Sequence, residues 1–109
     1  MAGKTLDITD ANFQSEIIDS GAPALLDFYA TWCGPCKTLA PVVDQLADEY
    51  AAQGVKIGKV DIEVASEVSA TYGITGVPTL LFFKDGQKVD QMIGAQPKST
   101  IENKLKELL

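Results

Sequence analysis

Residues 24–30 form an almost continuous apolar run, and this run limits the possible folds more than any other feature of the sequence. A strand of this composition is stable when other elements cover both of its faces. Apolar residues at helical spacing follow from Leu39 to Tyr50, and another strand pattern covers residues 55–62. Strands that alternate with helices in this way predict an α/β fold, in which a mixed sheet carries helices on both faces.

The rest of the chain fits the same architecture. Local patterns predict strands at residues 5–8, 79–83 and 88–93, a first helix capped by Thr9 or Asp10, and helices near 64–72 and 98–109. Asp85-Gly86 lies between the last two strands and predicts a hairpin turn. With 109 residues, no repeat and no linker, the chain is expected to form a single domain over residues 1–109.

The only two cysteines lie in the segment Trp32-Cys33-Gly34-Pro35-Cys36, after the apolar strand and before the long helix. Thiols this close cannot join distant parts of a fold, and a Cys-x-x-Cys pair beside a βαβ pattern is typical of a redox motif. A zinc site is one alternative, but zinc normally takes four ligands and the chain has no histidine, so two chains would have to share the metal. A purely structural disulfide is the other, and its short loop would constrain the unfolded chain little. We therefore expect a redox pair and no metal.

Charge and hydropathy limit the possible partners. The chain has a net charge of −6 and no basic run, so neither nucleic acid nor an anionic membrane surface is expected as a partner. No segment approaches the roughly 18 apolar residues of a membrane span. The first residues lack the apolar stretch of a secretory signal. These patterns predict a cytoplasmic protein, and disulfides in that compartment are usually transient and catalytic.

Several separated motifs resemble those of the thioredoxin family, and the resemblance extends over the whole chain. The matching residues are Asp27-Phe28, Trp32-Cys33-Gly34-Pro35-Cys36-Lys37, Pro41, Lys59-Val60-Asp61, Gly73-Ile74, Gly76-Val77-Pro78-Thr79 and Gly94-Ala95. The resemblance implies the thioredoxin fold, a central five-stranded mixed β-sheet flanked by four α-helices. Tyr29 departs from the pattern, because bacterial members often carry a tryptophan there, and this difference is expected to alter packing more than chemistry.

The two thiols have different expected roles. Cys33 falls where the long helix begins, so free backbone N–H groups and the helix dipole favour its thiolate, the form that attacks a disulfide. Cys36, one helical turn further on, then attacks Cys33 and releases the reduced partner. Gly34 permits a tight turn, and Pro35 fits the first helical turn, where its missing N–H costs nothing.

The resemblance implies a general protein-disulfide oxidoreductase that acts mainly as a reductase. Such a protein is an electron carrier that binds no cofactor and relies on a reversible Cys33–Cys36 disulfide. Its expected partners are disulfide-containing proteins and a thioredoxin reductase, through which NADPH is used indirectly. An oxidase or isomerase is disfavoured by Gly34-Pro35, because oxidising members of the family usually carry a histidine between the cysteines. A non-catalytic subunit that binds through the apolar surface around the cysteines is a further alternative, and a monomer is expected.

Asp27 interrupts the apolar strand, and an isolated buried carboxylate is costly and responds with a raised pKa. The alternative is an edge position where the carboxylate reaches water. The resemblance assigns Asp27 the exchange of a proton with Cys36, directly or through water. Lys59 lies on the next strand pattern, where it is expected to tune the charge of Asp27; a plain surface lysine is the alternative.

The resemblance also implies a docking surface for substrates around Cys33. The expected members are Trp32, Gly34, Pro35, Gly76, Val77, Pro78, Gly94 and Ala95. In the family the peptide bond before the matching proline is cis, and the backbone at Val77 would offer hydrogen bonds to a bound peptide. The alternative for Trp32 is ordinary packing in the core.

Overall fold

The computed structural model describes residues 4–109, and five strands in this range form one sheet. The strands are β1 (Leu6–Asp7), β2 (Ala24–Tyr29), β3 (Lys56–Asp61), β4 (Thr79–Lys84) and β5 (Gln87–Ile93). Their order across the sheet is β1-β3-β2-β4-β5. β1 and β2 run parallel to β3, whereas β4 is antiparallel to both β2 and β5. The apolar run therefore forms the central strand, as its composition predicts. The domain predicted over residues 1–109 begins with three residues that lie outside the described range.

Four helices flank the sheet in the described part of the chain. Three are α-helices, namely α1 (Gly34–Tyr50), α2 (Ser66–Thr71) and α3 (Lys98–Leu108), and the fourth is a short π-helix (Gln14–Ile18). A 3₁₀ turn (Ala51–Gln53) extends α1 and ends at Gly54, which adopts a left-handed φ of 77°. These elements confirm the expected mixed sheet with four helices, except that the first helix is not an α-helix.

The first helix begins at Gln14, later than its sequence pattern predicts, and Asp10, one of its two expected caps, caps α2 instead. The carboxylate of Asp10 accepts hydrogen bonds from the backbone N–H groups of Val68 at 2.9 Å and Glu67 at 3.3 Å, and so caps α2. Thr9 accepts a hydrogen bond from the N–H of Ala11 at 3.2 Å, which stabilises a turn ahead of the π-helix.

The helices lie on opposite faces of the sheet and enclose two apolar cores. One core joins the sheet to α1 and α3 through Leu25, Leu39, Leu46, Leu80, Phe82, Ile101 and Leu105. The other joins the sheet to the π-helix and α2 through Ile17, Leu26, Phe28, Val68, Leu81 and Phe83. Both faces of β2 are therefore covered, and alternate residues of β2 contribute to different cores.

The sheet requires glycine at one position and a left-handed turn at another. A Cβ atom on Gly58 of β3 would lie 2.8 Å from Cγ1 of Ile8 and 3.1 Å from Cδ2 of Leu26, so there is no room for a side chain at this position. Asp85 and Gly86 have φ values of 54° and 77° and connect β4 to β5 in the predicted hairpin.

Candidate active site

The two cysteines form a disulfide at the start of α1. Cys33 is the N-cap residue with extended backbone, and its Sγ accepts a hydrogen bond from the N–H of Cys36 at 3.1 Å. The two Cα atoms lie 5.3 Å apart. Pro35 lies in the first turn, where a missing N–H leaves no hydrogen bond unmade. The positive end of the helix dipole therefore faces Cys33, as the sequence predicts.

Both cysteines are buried, but the residues beside Cys33 are not. Cys33 is 5% exposed and Cys36 is 3% exposed, whereas Trp32 is 68% exposed. Gly34 and Pro35 are exposed as well. Trp32 is therefore not a core residue, and the alternative of core packing for its side chain is excluded. The segment at Trp32 is therefore the exposed surface next to the buried sulfur of Cys33.

The loop before β4 lies directly against Cys33. The Val77–Pro78 peptide bond is cis, and the carbonyl oxygen of Val77 lies 3.8 Å from Sγ of Cys33. Pro78 is buried, Val77 is half-buried and packs against the cysteine pair, and Gly76 is exposed. The hydroxyl of Thr79 donates to the carbonyl oxygen of Gly76 at 2.6 Å and holds this loop against the start of β4.

The segment after β5 joins the same surface. The N–H of Gly94 donates to the carbonyl oxygen of Pro78 at 2.8 Å, which places Gly94 beside the cis bond. Ala95 follows as an exposed residue. Two further apolar residues, not expected from the sequence, lie near the site: Ile62 packs against the cluster formed by Ala30 and the two cysteines, and Ile93, 64% exposed, pairs with Thr79 in the sheet. Both stand at the ends of predicted strands, which was the available signal.

Asp27 is buried in the middle of β2. Its residue surface is 3% exposed, and its Oδ1 makes no hydrogen bond to any described residue. The pKa of Asp27 is raised from 3.8 to about 7, chiefly because burial disfavours the charged form; the carboxylate of Asp44 adds to the rise and Lys59 opposes it. The alternative of an edge position open to water is therefore wrong. A carboxyl with this pKa exchanges a proton readily near neutral pH.

Lys59 lies next to Asp27 in the sheet. The two residues are direct partners in the register of β2 and β3, and Asp7 of β1 is the partner of Lys59 on its other side. Nζ of Lys59 lies 3.7 Å from Oδ1 of Asp7, and the lysine side chain is 43% exposed. Lys59 is thus half open to solvent yet close enough to influence the proton affinity of Asp27.

A cavity of about 170 Å³ is lined by both Asp27 and Cys36. Its wall contains Thr5, Asp27, Tyr29, Thr31, Cys36, Lys37, Asp44 and Lys59, together with the apolar residues Ala30, Ala40 and Val43. A cavity of this size and polarity admits water molecules. Thr5 and Asp44 are not among the site residues expected from the sequence. Asp44 follows Cys36 by a little over two helical turns, and this spacing was the available signal for it.

Residues 4–109 contain no group of three or more histidine, cysteine, aspartate or glutamate side chains arranged to hold a metal ion. None of the helices in this range has the length and apolar character needed to cross a membrane.

Comparison with known proteins agrees with this geometry. The family profile described as Thioredoxin matches residues 4–107. The chain is 50% identical over 98 residues to "Thioredoxin 1" of Synechococcus elongatus, covering 90% of this chain and 91% of the relative. It is 47% identical over 106 residues to "Thioredoxin" of Chlorobaculum thiosulfatiphilum, covering 97% of both chains. It is 45% identical over 101 residues to "Thioredoxin C-2" of Corynebacterium nephridii, covering 93% of both.

Proposed function

The chain belongs to the thioredoxin family and is a thiol–disulfide oxidoreductase, and on this premise we propose that Cys33 attacks target disulfides while Cys36 resolves the product. The disulfide at the start of α1 is the observation that carries this proposal. In the dithiol form, the N–H of Cys36 and the helix dipole stabilise a thiolate at Cys33. Cys33 is also the cysteine that lies beside the exposed segment at Trp32.

The reaction transfers two electrons from the cysteine pair to the substrate. The Cys33 thiolate bonds to one sulfur of the target disulfide, and the other substrate sulfur leaves as a thiolate that takes a proton from water. Cys36 then loses its proton, and its thiolate bonds to Sγ of Cys33. The second substrate sulfur leaves, so the target ends as a dithiol and the cysteine pair ends as a disulfide.

We assign the proton of Cys36 to Asp27. Asp27 and Cys36 line the same cavity, and burial gives the carboxyl a pKa of about 7. An ionised Asp27 accepts the proton when Cys36 must become a nucleophile, and water in the cavity carries it between the two groups. Lys59 adjusts the charge of Asp27 from the neighbouring strand.

Substrates are proposed to dock on an apolar surface around Cys33. Its members are Trp32, Gly34, Pro35, Gly76, Val77, Pro78, Gly94 and Ala95, and the structure supports adding Ile62 and Ile93 to it. The backbone of Val77 lies beside Cys33, where it is suited to hydrogen-bond an extended peptide. Backbone recognition of this kind tolerates many sequences.

The remaining proposals concern the context of the reaction. The disulfide form is returned to the dithiol by a thioredoxin reductase that uses NADPH, and the protein itself binds no cofactor or metal. A reductase needs a reducing compartment, which supports the cytoplasm as its location. We propose that residues 1–109 form a single domain that acts as a monomer.

Reduction of insulin disulfides by the whole chain, coupled to NADPH and a thioredoxin reductase, tests the function. The wild-type chain is expected to sustain NADPH oxidation, and Cys33→Ser is expected to abolish it. Cys36→Ser is expected to accumulate a mixed disulfide between Cys33 and the target, visible by mass spectrometry. If both serine variants bind targets unchanged and the wild type shows no reduction, the chain is instead a binding subunit.

A further inference from the structure

Asp44 is held in a fixed position at the wall of the cavity that contains Asp27. The hydroxyl of Thr5 donates a hydrogen bond to Oδ1 of Asp44 at 2.8 Å, and the two residues are 39 positions apart in the chain. Both are half-buried, and both line the cavity that Asp27 also lines. A hydroxyl donor from outside the helix fixes where the negative charge of the carboxylate lies.

We propose that Asp44 is a positioning residue for disulfide exchange, because its carboxylate, held by Thr5, sets how firmly Asp27 retains the proton that it exchanges with Cys36. The proposal rests on the proton transfer by Asp27 proposed above. It concerns a residue two helical turns from the cysteines, with no hydrogen bond to either of them. Its action is electrostatic, since a negative charge facing a buried carboxyl disfavours the second negative charge.

The groups that face the cavity with a charge or a proton to exchange come from three elements. They are Lys59 on β3, Cys36, Lys37 and Asp44 on α1, and Tyr29 on β2 beside Asp27 itself. The β4 partner of Asp27 is Leu80, which carries no charge. Burial raises the pKa of the Tyr29 hydroxyl, so this group stays neutral at physiological pH.

Asp44 influences the pKa of Asp27 more strongly than Lys59 does. After burial, Asp44 is the larger influence on the pKa of Asp27, and Lys59 acts against it less strongly. The geometry explains this order. Nζ of Lys59 lies 3.7 Å from Asp7, whose charge is opposite, and the lysine side chain is 43% exposed, so solvent screens it. Asp44 is held inside the cavity wall by Thr5.

The test measures the titration of Asp27 directly and compares it with the rate of disulfide reduction. The side-chain carboxyl carbon of Asp27 is followed by NMR from pH 4 to 9 in wild type, Asp44→Asn and Thr5→Val. Asp44→Asn is expected to lower the Asp27 midpoint by roughly half a unit to one unit, the scale for partly buried charges several ångströms apart. Thr5→Val retains the charge of Asp44 but removes the hydrogen bond that holds its carboxylate. A smaller downward shift of the Asp27 midpoint is therefore expected.

The kinetic arm follows the pH dependence of insulin reduction in the same proteins. The pH at which Asp44→Asn reaches half its maximal rate is expected to move down with the Asp27 midpoint. In an Asp27→Asn background, Asp44→Asn is expected to change the pH profile no further. Asp48→Asn is the matched control, since it removes one charge from an exposed position on the same helix.

The possible failures have different signatures. An Asp27 midpoint that is the same in wild type and Asp44→Asn overturns the role of Asp44, even if Asp27→Asn slows the reaction. A midpoint that moves while the rate profile does not, together with an Asp27→Asn variant as fast as wild type, refutes proton transfer by Asp27 and the role of Asp44 with it. A shift of equal size in Asp48→Asn also overturns the proposal, because the effect would then be one of overall charge.

Discussion

Replacing Asp27 with asparagine is expected to stabilise the oxidised protein at neutral and alkaline pH, although it removes a residue proposed to serve the reaction. The carboxyl is buried in β2, and its Oδ1 has no hydrogen-bond partner in the described part of the chain. Burial, with a further contribution from Asp44, raises its pKa from 3.8 to about 7. The folded state therefore binds the proton more tightly than the unfolded state.

The sign and size of the effect follow from the two pKa values. Well below pH 4 the carboxyl is protonated in both states, and it then has no effect on the pH dependence of stability. As the pH rises from about 4 to about 7 the unfolded chain ionises first, and folding then requires uptake of a proton or burial of a charge. Each pKa unit corresponds to about 1.4 kcal/mol, so the loss reaches about 4 kcal/mol above pH 7 and then levels off.

Urea unfolding of the oxidised protein at pH 4 and pH 8 measures this difference. Far-UV circular dichroism and the fluorescence of Trp32, the only tryptophan, report the transition. Asp27→Asn itself places a buried amide where Oδ1 has no hydrogen-bond partner among the described residues, at a cost of roughly 1–3 kcal/mol. This cost is present at both pH values, so the gain in relative stability of the variant from pH 4 to pH 8 isolates the effect of ionisation.

The matched control is Asp48→Asn, which removes a carboxylate from an exposed position on α1. Relative to wild type, Asp27→Asn is expected to gain about 4 kcal/mol between the two pH values. If Asp27→Asn gains no more than Asp48→Asn, the carboxyl of Asp27 is not a buried acid and the argument is refuted. Turnover of Asp27→Asn is expected to be slower than that of wild type at pH 7, in the insulin assay.

Three further substitutions test the packing that supports the site, each by urea unfolding at pH 7. Gly58→Ala is expected to lower the free energy of unfolding by about 1–3 kcal/mol, because its Cβ would lie 2.8 Å from Cγ1 of Ile8. Unchanged stability would show that Ile8 yields without strain. Leu105→Ala, at a fully buried position of α3, is expected to lower the free energy of unfolding by about 2–5 kcal/mol. Lys106→Ala, at the exposed neighbouring position, should change it little, and equal losses in the two variants would contradict the assignment of Leu105 to the core. Asp10→Ala is expected to lose about 1–2 kcal/mol as the cap of α2 disappears, and a loss restored by Asp10→Asn would separate capping from charge.

Much of the fold could be predicted because local patterns determine it. The apolar run at residues 24–30 identifies the central strand, since only a strand covered on both faces tolerates that composition. Asp85-Gly86 identifies the hairpin, since its two residues adopt the left-handed conformations that the turn demands. Asp10 is different: its preference for caps is visible in the sequence, but the helix that it caps starts more than fifty residues later.

The candidate site divides in the same way. The Cys-x-x-Cys spacing and the burial of Asp27 can both be inferred from short local stretches of sequence. The structure places Asp27 and Cys36 in the wall of one cavity. The cis bond before Pro78 was expected only from the family resemblance, because about 5–6% of bonds before proline are cis. The hydrogen bond between Thr5 and Asp44 joins residues 39 positions apart, so it could not be predicted from local sequence. Hydrophobic periodicity indicates which face of a helix or strand is buried, but not which distant side chain contacts that face.

The shortness of β1 affects the site through local stability. The strand has two residues at the edge of the sheet and pairs with β3 alone, yet Thr5 and Asp7, the partners of Asp44 and Lys59, lie within or directly beside it. Short edge elements open more often than the core of a protein, without unfolding of the rest. Each opening of β1 would release the two residues that hold the charged groups around Asp27, while the disulfide and α1 stay folded. Amide hydrogen exchange in this strand would therefore report how long the polar wall of the cavity persists.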